Sequence, residues 1–255
     1  MTRLMALLLA MVAALFAASL LVGPAKVSVA DSLSALFAGD KGPLTLVMRE
    51  IRLPRAILAA MIGASLGLAG AAMQGYLRNP LAEPGLIGVS GSAALGAVLA
   101  IHTGLSATFA LGLPLAALTG AFLGVVLVMS LAGPRGTSLT LILAGIAISA
   151  LAAAITSFVL NLSPNPFAAN EIVFWMMGSL TDRSMTHVWL ALPFMALGFA
   201  VLARLGRGLD ALTLGEDAAI AMGIRVDRLR LQLVIGTACV VGAGTAVAGA
   251  IGFVG

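Results

Sequence analysis

The run Leu139–Leu160, LTLILAGIAISALAAAITSFVL, holds no Asp, Glu, Lys, Arg or Pro. A helix needs roughly 20 apolar residues to cross a bilayer, so this stretch reads as a transmembrane helix. Six further runs of the same kind flank it: Leu4–Val22, Ala56–Tyr76, Leu86–Ile101, Ser106–Ser130, Val188–Ala203 and Leu231–Val254. None carries an acid or a base. Leu86–Ile101 and Val188–Ala203 are short. The first is expected to be broken or partly irregular, because non-helical backbone at membrane depth survives only where protein or water covers it. The fold class that follows is all-α, a polytopic transmembrane helical bundle of about seven spans.

Composition agrees. The 255 residues are 61% hydrophobic and 9% charged, with mean hydropathy +1.13. Soluble domains carry about 25% charged residues, so a water-soluble fold is excluded. Glycine is abundant, at 30 residues, and aromatics make up 5%. Small residues let helices approach closely in lipid, where no hydrophobic force drives them together. The net charge of +4 and the pI of about 10.2 would suggest nucleic acid in a soluble protein. Here the charges sit between apolar runs, so membrane topology accounts for them and no nucleic-acid partner is expected. Cys239 is the single cysteine. An intrachain disulfide and a cysteine-based metal cluster are therefore ruled out, and no metal site or cofactor is expected.

The first run has a signal-peptide alternative, with Arg3 as its positive region and Ser28-Val29-Ala30 as a cleavage-like sequence. Its apolar stretch is longer than the usual one of 7–15 residues, so a retained helix is expected. With the N-terminus inside, the inner connections hold eight basic residues: Arg3, Arg78, Arg135, Arg204, Arg207, Arg225, Arg228 and Arg230. The outer ones hold six: Lys26, Lys41, Arg49, Arg52, Arg55 and Arg183. The positive-inside bias is thus shallow. Arg49, Arg52 and Arg55 work against it and need a separate explanation.

Four segments invite a functional reading. In Arg52-Leu53-Pro54-Arg55, Pro54 suits a first helical turn and fixes the corner from which the arginines project. Interfacial anchoring by snorkelling and a cationic docking point for acids of an external partner are both open. In Arg78–Ser90, Asn79, Pro80, Pro84 and Gly85 forbid a continuous helix. This is either a plain inner loop or a structured turn that breaks a helix beside a transport pathway. Asn161–Pro166 and Glu171–Leu180, with Trp175, Met176 and Met177, form an amphipathic outer stretch: an interfacial helix or one lining an outer mouth. Gly208–Gly223, within a connecting segment 205–227, is amphipathic and too polar to span. It reads as about two short helices. A surface helix on lipid is usually rich in Lys and Arg, whereas this one carries Asp210, Glu216 and Asp217. Docking in a groove of a protein partner fits better. There Leu214, Ala218 and Met222 recur at spacing four, as on one helical face, and Gly223 suits a helix stop. Gly63-xxx-Gly67 and Gly120-xxx-Gly124 are helix-packing motifs. His102 and His187 stand at span ends as interfacial residues.

Ion-coupled carriers place ionisable residues within the membrane, and these spans have none. No catalytic constellation is visible, so the chain is not expected to be an enzyme. No Gly-xxxx-Gly-Lys-Ser/Thr phosphate loop occurs either. Energy for uphill transport would therefore enter from another subunit, through Gly208–Gly223.

Arg52–Arg55, Asn79–Ser90, Trp175–Leu180, Leu212–Ile224 and Ala248–Gly255 together, in order and spacing, resemble the permeases of the iron-siderophore, haem and cobalamin ABC importers, the FecCD-type family. The resemblance runs from about residue 45 to the end. It implies a homodimer with the pathway on its two-fold axis, in the cytoplasmic (inner) membrane. It implies two cytoplasmic ABC ATPase subunits and a periplasmic or extracytoplasmic substrate-binding protein. Leu214, Gly215, Glu216, Asp217, Ala218, Ala219, Met222 and Gly223 are similar to the coupling loop of such permeases, with Asp217 where Glu is commoner. Arg52 and Arg55 match arginines that pair with glutamates of the binding protein. Asn79, Pro80, Pro84 and Gly85 match the turn beside the pathway. Family members usually have ten spans, so 1–255 is expected to be a single permease domain, truncated where a Pro-His segment and three more helices would follow. Iron chelates, haem included, rank first as substrate and cobalamin second. A non-transporting scaffold is the remaining alternative.

Overall fold

The structure, a computed structural model, describes residues 2–23, 28–37, 42–133, 136–163 and 166–251. Lys26, Lys41, Arg135, Pro164, Asn165 and the terminal Gly252–Gly255 of the sequence motifs lie outside the described residues. In chain order the helices are α1 (Thr2–Leu21), α2 (Val29–Phe37), α3 (Pro43–Leu46), a π-helical turn (Val47–Arg52), α4 (Leu53–Leu77), a 3₁₀ turn (Pro84–Ile87) and α5 (Val89–His102). Then follow α6 (Leu105–Thr108), α7 (Gly112–Ala132), α8 (Ser138–Leu162), α9 (Pro166–Met176), α10 (Met185–Leu202), α11 (Gly206–Leu212), α12 (Glu216–Ala221) and α13 (Val226–Ala248). Among the described residues, six helical stretches are long and apolar enough to cross a membrane. The seventh apolar run gives the shorter α5, as the prolines and glycines ahead of it foretell. Its 14 residues reach about 21 Å at 1.5 Å per residue.

Three boundaries differ from the sequence expectation. The run from Ser106 is interrupted, because Phe109 is extended and α7 begins only at Gly112, with Pro114 in its first turn. The run from Ala56 continues backwards through the π turn to Pro43, a path of 35 residues. The last span starts earlier, at Val226, and stops at Ala248, because Gly249 takes φ +79°.

The chain divides into two compact units. The first comprises Met1–Met61 and Leu180–Leu190. Within it α2 and α3 pack together, and α1 and α2 both meet the π turn. No residue of α1 is buried, as befits a helix apolar on all sides in lipid.

The second unit comprises Ile62–Ser179 and Ala191–Gly255. Here α5 is central: α7, α8, α9 and α13 all pack on it. Small residues make this possible. A Cβ on Gly96 of α5 would strike the Ala116 carbonyl, and one on Gly120 of α7 would strike that of Ser92 and lie 3.1 Å from Gly96 Cα. Gly124 leaves room for the Ser92 side chain. The Gly120-xxx-Gly124 motif therefore packs on α5. Gly63-xxx-Gly67 does not, since nothing lies within 4 Å of a Cβ at either position.

Candidate functional site

At the outer corner of the sequence reading, the π turn carries Arg49 and Arg52, and the first turn of α4 carries Arg55. Arg52 is 6% exposed. Its Nη1 donates to the carbonyls of Leu20 at 3.1 Å and Leu21 at 3.0 Å, the last two residues of α1. Arg49 is half-buried, and its Nε donates to the Leu36 carbonyl at 2.9 Å. Arg55 and Glu50 are exposed. The two predicted docking arginines thus have different surroundings, and the Arg49 and Arg52 bonds were not visible in sequence. In the same unit Asp182 has φ +60°, and burial pushes the Arg183 guanidinium below its ordinary pKa, with the Asp182 charge opposing.

The connection between α4 and α5 is a built turn. Arg78 takes φ +50°, and the Asn79 amide donates to the Gln74 carbonyl at 3.2 Å, closing α4. Asn79 Oδ1 accepts from the Leu81 amide at 2.9 Å, an Asx turn. Pro84 starts the 3₁₀ turn with its missing N–H, and Gly88 ends it in the left-handed region at φ +74°. A Cβ on Gly88 would stand 2.9 Å from the Gly145 carbonyl, and one on Gly145 would strike that of Leu86. The turn thus lies backbone to backbone on α8. An open cleft of about 440 Å³ runs beside it, lined by Glu83, Gly85, Leu86, Ile146, Ser149 and Ala150. Asn79 and Pro80 are exposed and are not among its lining residues.

The segment after α10 forms two short helices, as expected. In α12, Glu216 and Asp217 occupy the first turn, where the positive end of the helix dipole favours acids. The helix ends in a Schellman stop: the Ile224 amide reaches the Ala219 carbonyl at 3.0 Å, that of Gly223 reaches Ile220 at 2.9 Å, and Gly223 takes φ +82°. Leu214 does not share a helical face with Ala218. Gly215, at φ +107° and ψ 158°, breaks the path between them, and Met222 is the C-cap. Ala219 is buried, whereas Leu214, Ile220 and Met222 are 70%, 56% and 53% exposed. The element offers solvent three apolar side chains around an acidic start.

Spacing alone could not show a fourth feature. The Trp175–Leu180 and Ala248–Gly255 motifs meet: the Ser179 amide donates to the Ala248 carbonyl at 2.6 Å. A Cβ on Gly178 would lie 2.8 Å from the Ala250 carbonyl, and one on Gly249 would lie 3.0 Å from Gly178 Cα and strike the Trp175 carbonyl. Both glycines have positive φ, +70° and +79°. Trp175 is buried, so it is not an exposed interfacial residue. Among the described residues no group of three His, Cys, Asp or Glu side chains is placed to hold a metal ion.

A set of apolar helices long enough to span a bilayer defines the class: a polytopic α-helical membrane protein. The chain belongs to the FecCD transport family, which matches residues 9–255. It is 38% identical over 223 residues to an uncharacterized ABC transporter permease protein, YvrB, of Bacillus subtilis, covering 85% of this chain and 63% of that one. It is 39% identical over 209 residues to the cobalamin import system permease protein BtuC of Halobacterium salinarum, covering 82% and 56%. The vitamin B12 import system permease protein BtuC of Salmonella typhi is 34% identical over 206 residues, covering 81% and 63%. The chain thus spans about three fifths of the length of these relatives. An ABC transporter assigned to the metal-chelate type, solved in an inward-facing conformation, superposes with TM-score 0.86 at 30% identity, covering 99% of this chain and 78% of that one.

Proposed function

We propose that this chain is the membrane-spanning permease of an ATP-driven importer, taking in a large metal chelate across the cytoplasmic membrane. It would work as a homodimer, with cytoplasmic ATPase subunits seated on segment 205–227. An external substrate-binding protein would deliver the chelate at the Arg52–Arg55 corner. Asn79, Pro80, Pro84 and Gly85 would hold the turn beside the pathway. The observation that carries this reading is α12 with its flanks, a short helix with a fixed stop that presents Ile220 and its cap Met222 to solvent, with exposed Leu214 just ahead of it. Exposed apolar side chains on a rigid element suit a groove in a protein partner. The apolar runs read from the sequence hold no acid or base to couple an ion gradient in place of such a partner.

The test is ATPase stimulation by loaded binding protein in proteoliposomes. Ala218→Arg places a charge in the contact, and Gly223→Pro destroys the stop. Both variants should insert normally and lose stimulation and uptake. Full stimulation in Ala218→Arg would overturn the coupling role. At the outer corner, Arg55→Glu should weaken association with the binding protein and flatten its salt dependence. An unchanged salt dependence would return Arg55 to anchoring.

The residue wording favours an iron chelate, haem included. The names of two relatives support a second reading, cobalamin. Uptake of haem, a ferric siderophore and cobalamin, measured side by side in one reconstituted preparation, decides between them.

A further inference from the structure

The arginines expected to dock, Arg52 and Arg55, would both be expected to face outward, yet Arg52 turns back onto the chain, as does its neighbour Arg49. Each reaches the C-terminal end of a different preceding helix: Arg52 the carbonyls of Leu20 and Leu21 in α1, Arg49 that of Leu36 in α2. The last four carbonyls of a helix have no partner within it. They also sit at the negative end of the helix dipole, where a cation is favoured. Arg52 serves two of them from a single nitrogen, Nη1, at 3.0 and 3.1 Å.

Two further features fit this placement. A Cβ on Gly23, just past α1, would strike the Arg52 guanidinium, with its central carbon 2.8 Å away; glycine there makes the seat. The arginines also lie in a π turn. In an α-helix, residues three apart are separated by about 60° in projection. The wider winding of a π turn opens that angle, so neighbouring arginines can serve two different helices.

We propose that Arg49 and Arg52 form a double clasp. Each holds the C-terminal end of one preceding helix by its carbonyl oxygens, Arg49 at Leu36 and Arg52 at Leu20 and Leu21, and together they position the corner that presents Arg55 to an acidic external partner. Both are positioning residues. The assignment to docking rests on the function proposed above, but the clasp can be tested without any partner.

The experiment is amide hydrogen exchange of the whole chain in lipid nanodiscs. Arg52→Gln should speed exchange in the last turn of α1, Ala18–Val22, by roughly tenfold or more, since charge-assisted bonds are the strong class. It should leave the end of α2 unchanged. Arg49→Gln should do the reverse, on Ser34–Phe37. Arg52→Lys keeps the charge but replaces the guanidinium that reaches both carbonyls and should give a smaller rise, which supplies a readout should the glutamine variant fail to insert. Arg55→Gln should alter neither helix. In the docking assay, the salt dependence should follow Arg55. Equal exchange in Arg52→Gln and wild type overturns the clasp, as does an equal effect of Arg55→Gln. If exchange behaves as described but Arg55→Glu leaves docking unchanged, the clasp stands and the docking reading falls.

Discussion

Replacing Gly249 by alanine tests the junction where the Trp175–Leu180 and Ala248–Gly255 motifs meet. Gly249 has φ +79° and ψ −174°, a region held almost only by glycine, in which other residues are strained by about 1–3 kcal/mol. The new methyl group would also strike the Trp175 carbonyl and stand 3.0 Å from Gly178 Cα. Both contacts are backbone atoms, which cannot swing aside, and overpacking costs about 1–3 kcal/mol. The combined destabilisation is about 2–6 kcal/mol. Gly223 is the control: its φ is +82°, but nothing lies within 4 Å of its Cβ. Gly223→Ala should cost about 1–2 kcal/mol from backbone alone. Cys239 is the single thiol in the chain and is half-buried, so a thiol-reactive fluorogenic dye reports unfolding in detergent without added labels. At about 2–4 °C per kcal/mol for a chain of this size, Gly249→Ala should melt at least about 4 °C below wild type, and below Gly223→Ala. A melting point within a degree of wild type, or above the control, would refute the argument that backbone contact makes Gly249 necessary.

Gly96→Ala should destabilise the chain by about 1–3 kcal/mol, because its Cβ strikes the Ala116 carbonyl. Gly63→Ala, with open space around it, should be neutral or stabilising by up to about 1 kcal/mol; the same dye assay reads both. Leu214→Cys in a Cys239→Ala background should be labelled by a membrane-impermeant maleimide only from the cytoplasmic side, and labelling from outside intact cells would invert the proposed topology. Asn79→Ala removes the bond to the Leu81 amide and should cost about 0.5–1.5 kcal/mol, read as a lower melting point in the same dye assay.

The spans were legible because lipid makes the sequence speak plainly: a charge-free run of sufficient length has one economical structure. The shortness of α5 was legible too, since Pro80, Pro84, Gly85 and Gly88 forbid a helix where the run would otherwise begin. Gly223 as a helix stop could be read from its place after Met222. Other features were not legible because they depend on residues far along the chain. Nothing near Arg52 announces that it will meet Leu20 and Leu21, and nothing near Gly178 announces Gly249. The spacing of Leu214, Ala218 and Met222 misled for a local reason. Periodicity supposes a continuous helix, and Gly215 interrupts it with a conformation that glycine alone adopts at little cost.

The contacts of the outer arginines favour clasping over anchoring. The continuous helical path Pro43–Leu77 has 35 residues, about 52 Å at 1.5 Å per residue, against a hydrocarbon core about 30 Å thick. Snorkelling carries a charged head away from apolar surface into water or headgroups. The Arg52 head is instead turned inward: Arg52 is 6% exposed, and its Nη1 lies on the Leu20 and Leu21 carbonyls at the end of α1, whereas Arg55 is exposed. On the proposed topology, the shallowness of the positive-inside bias has the same cause. Of the six basic residues placed outside, Arg49 and Arg52 are directed at helix C-termini, and six minus two leaves four against eight inside. Two of the three arginines that oppose the topology rule are thus the ones whose charge serves the ends of α1 and α2.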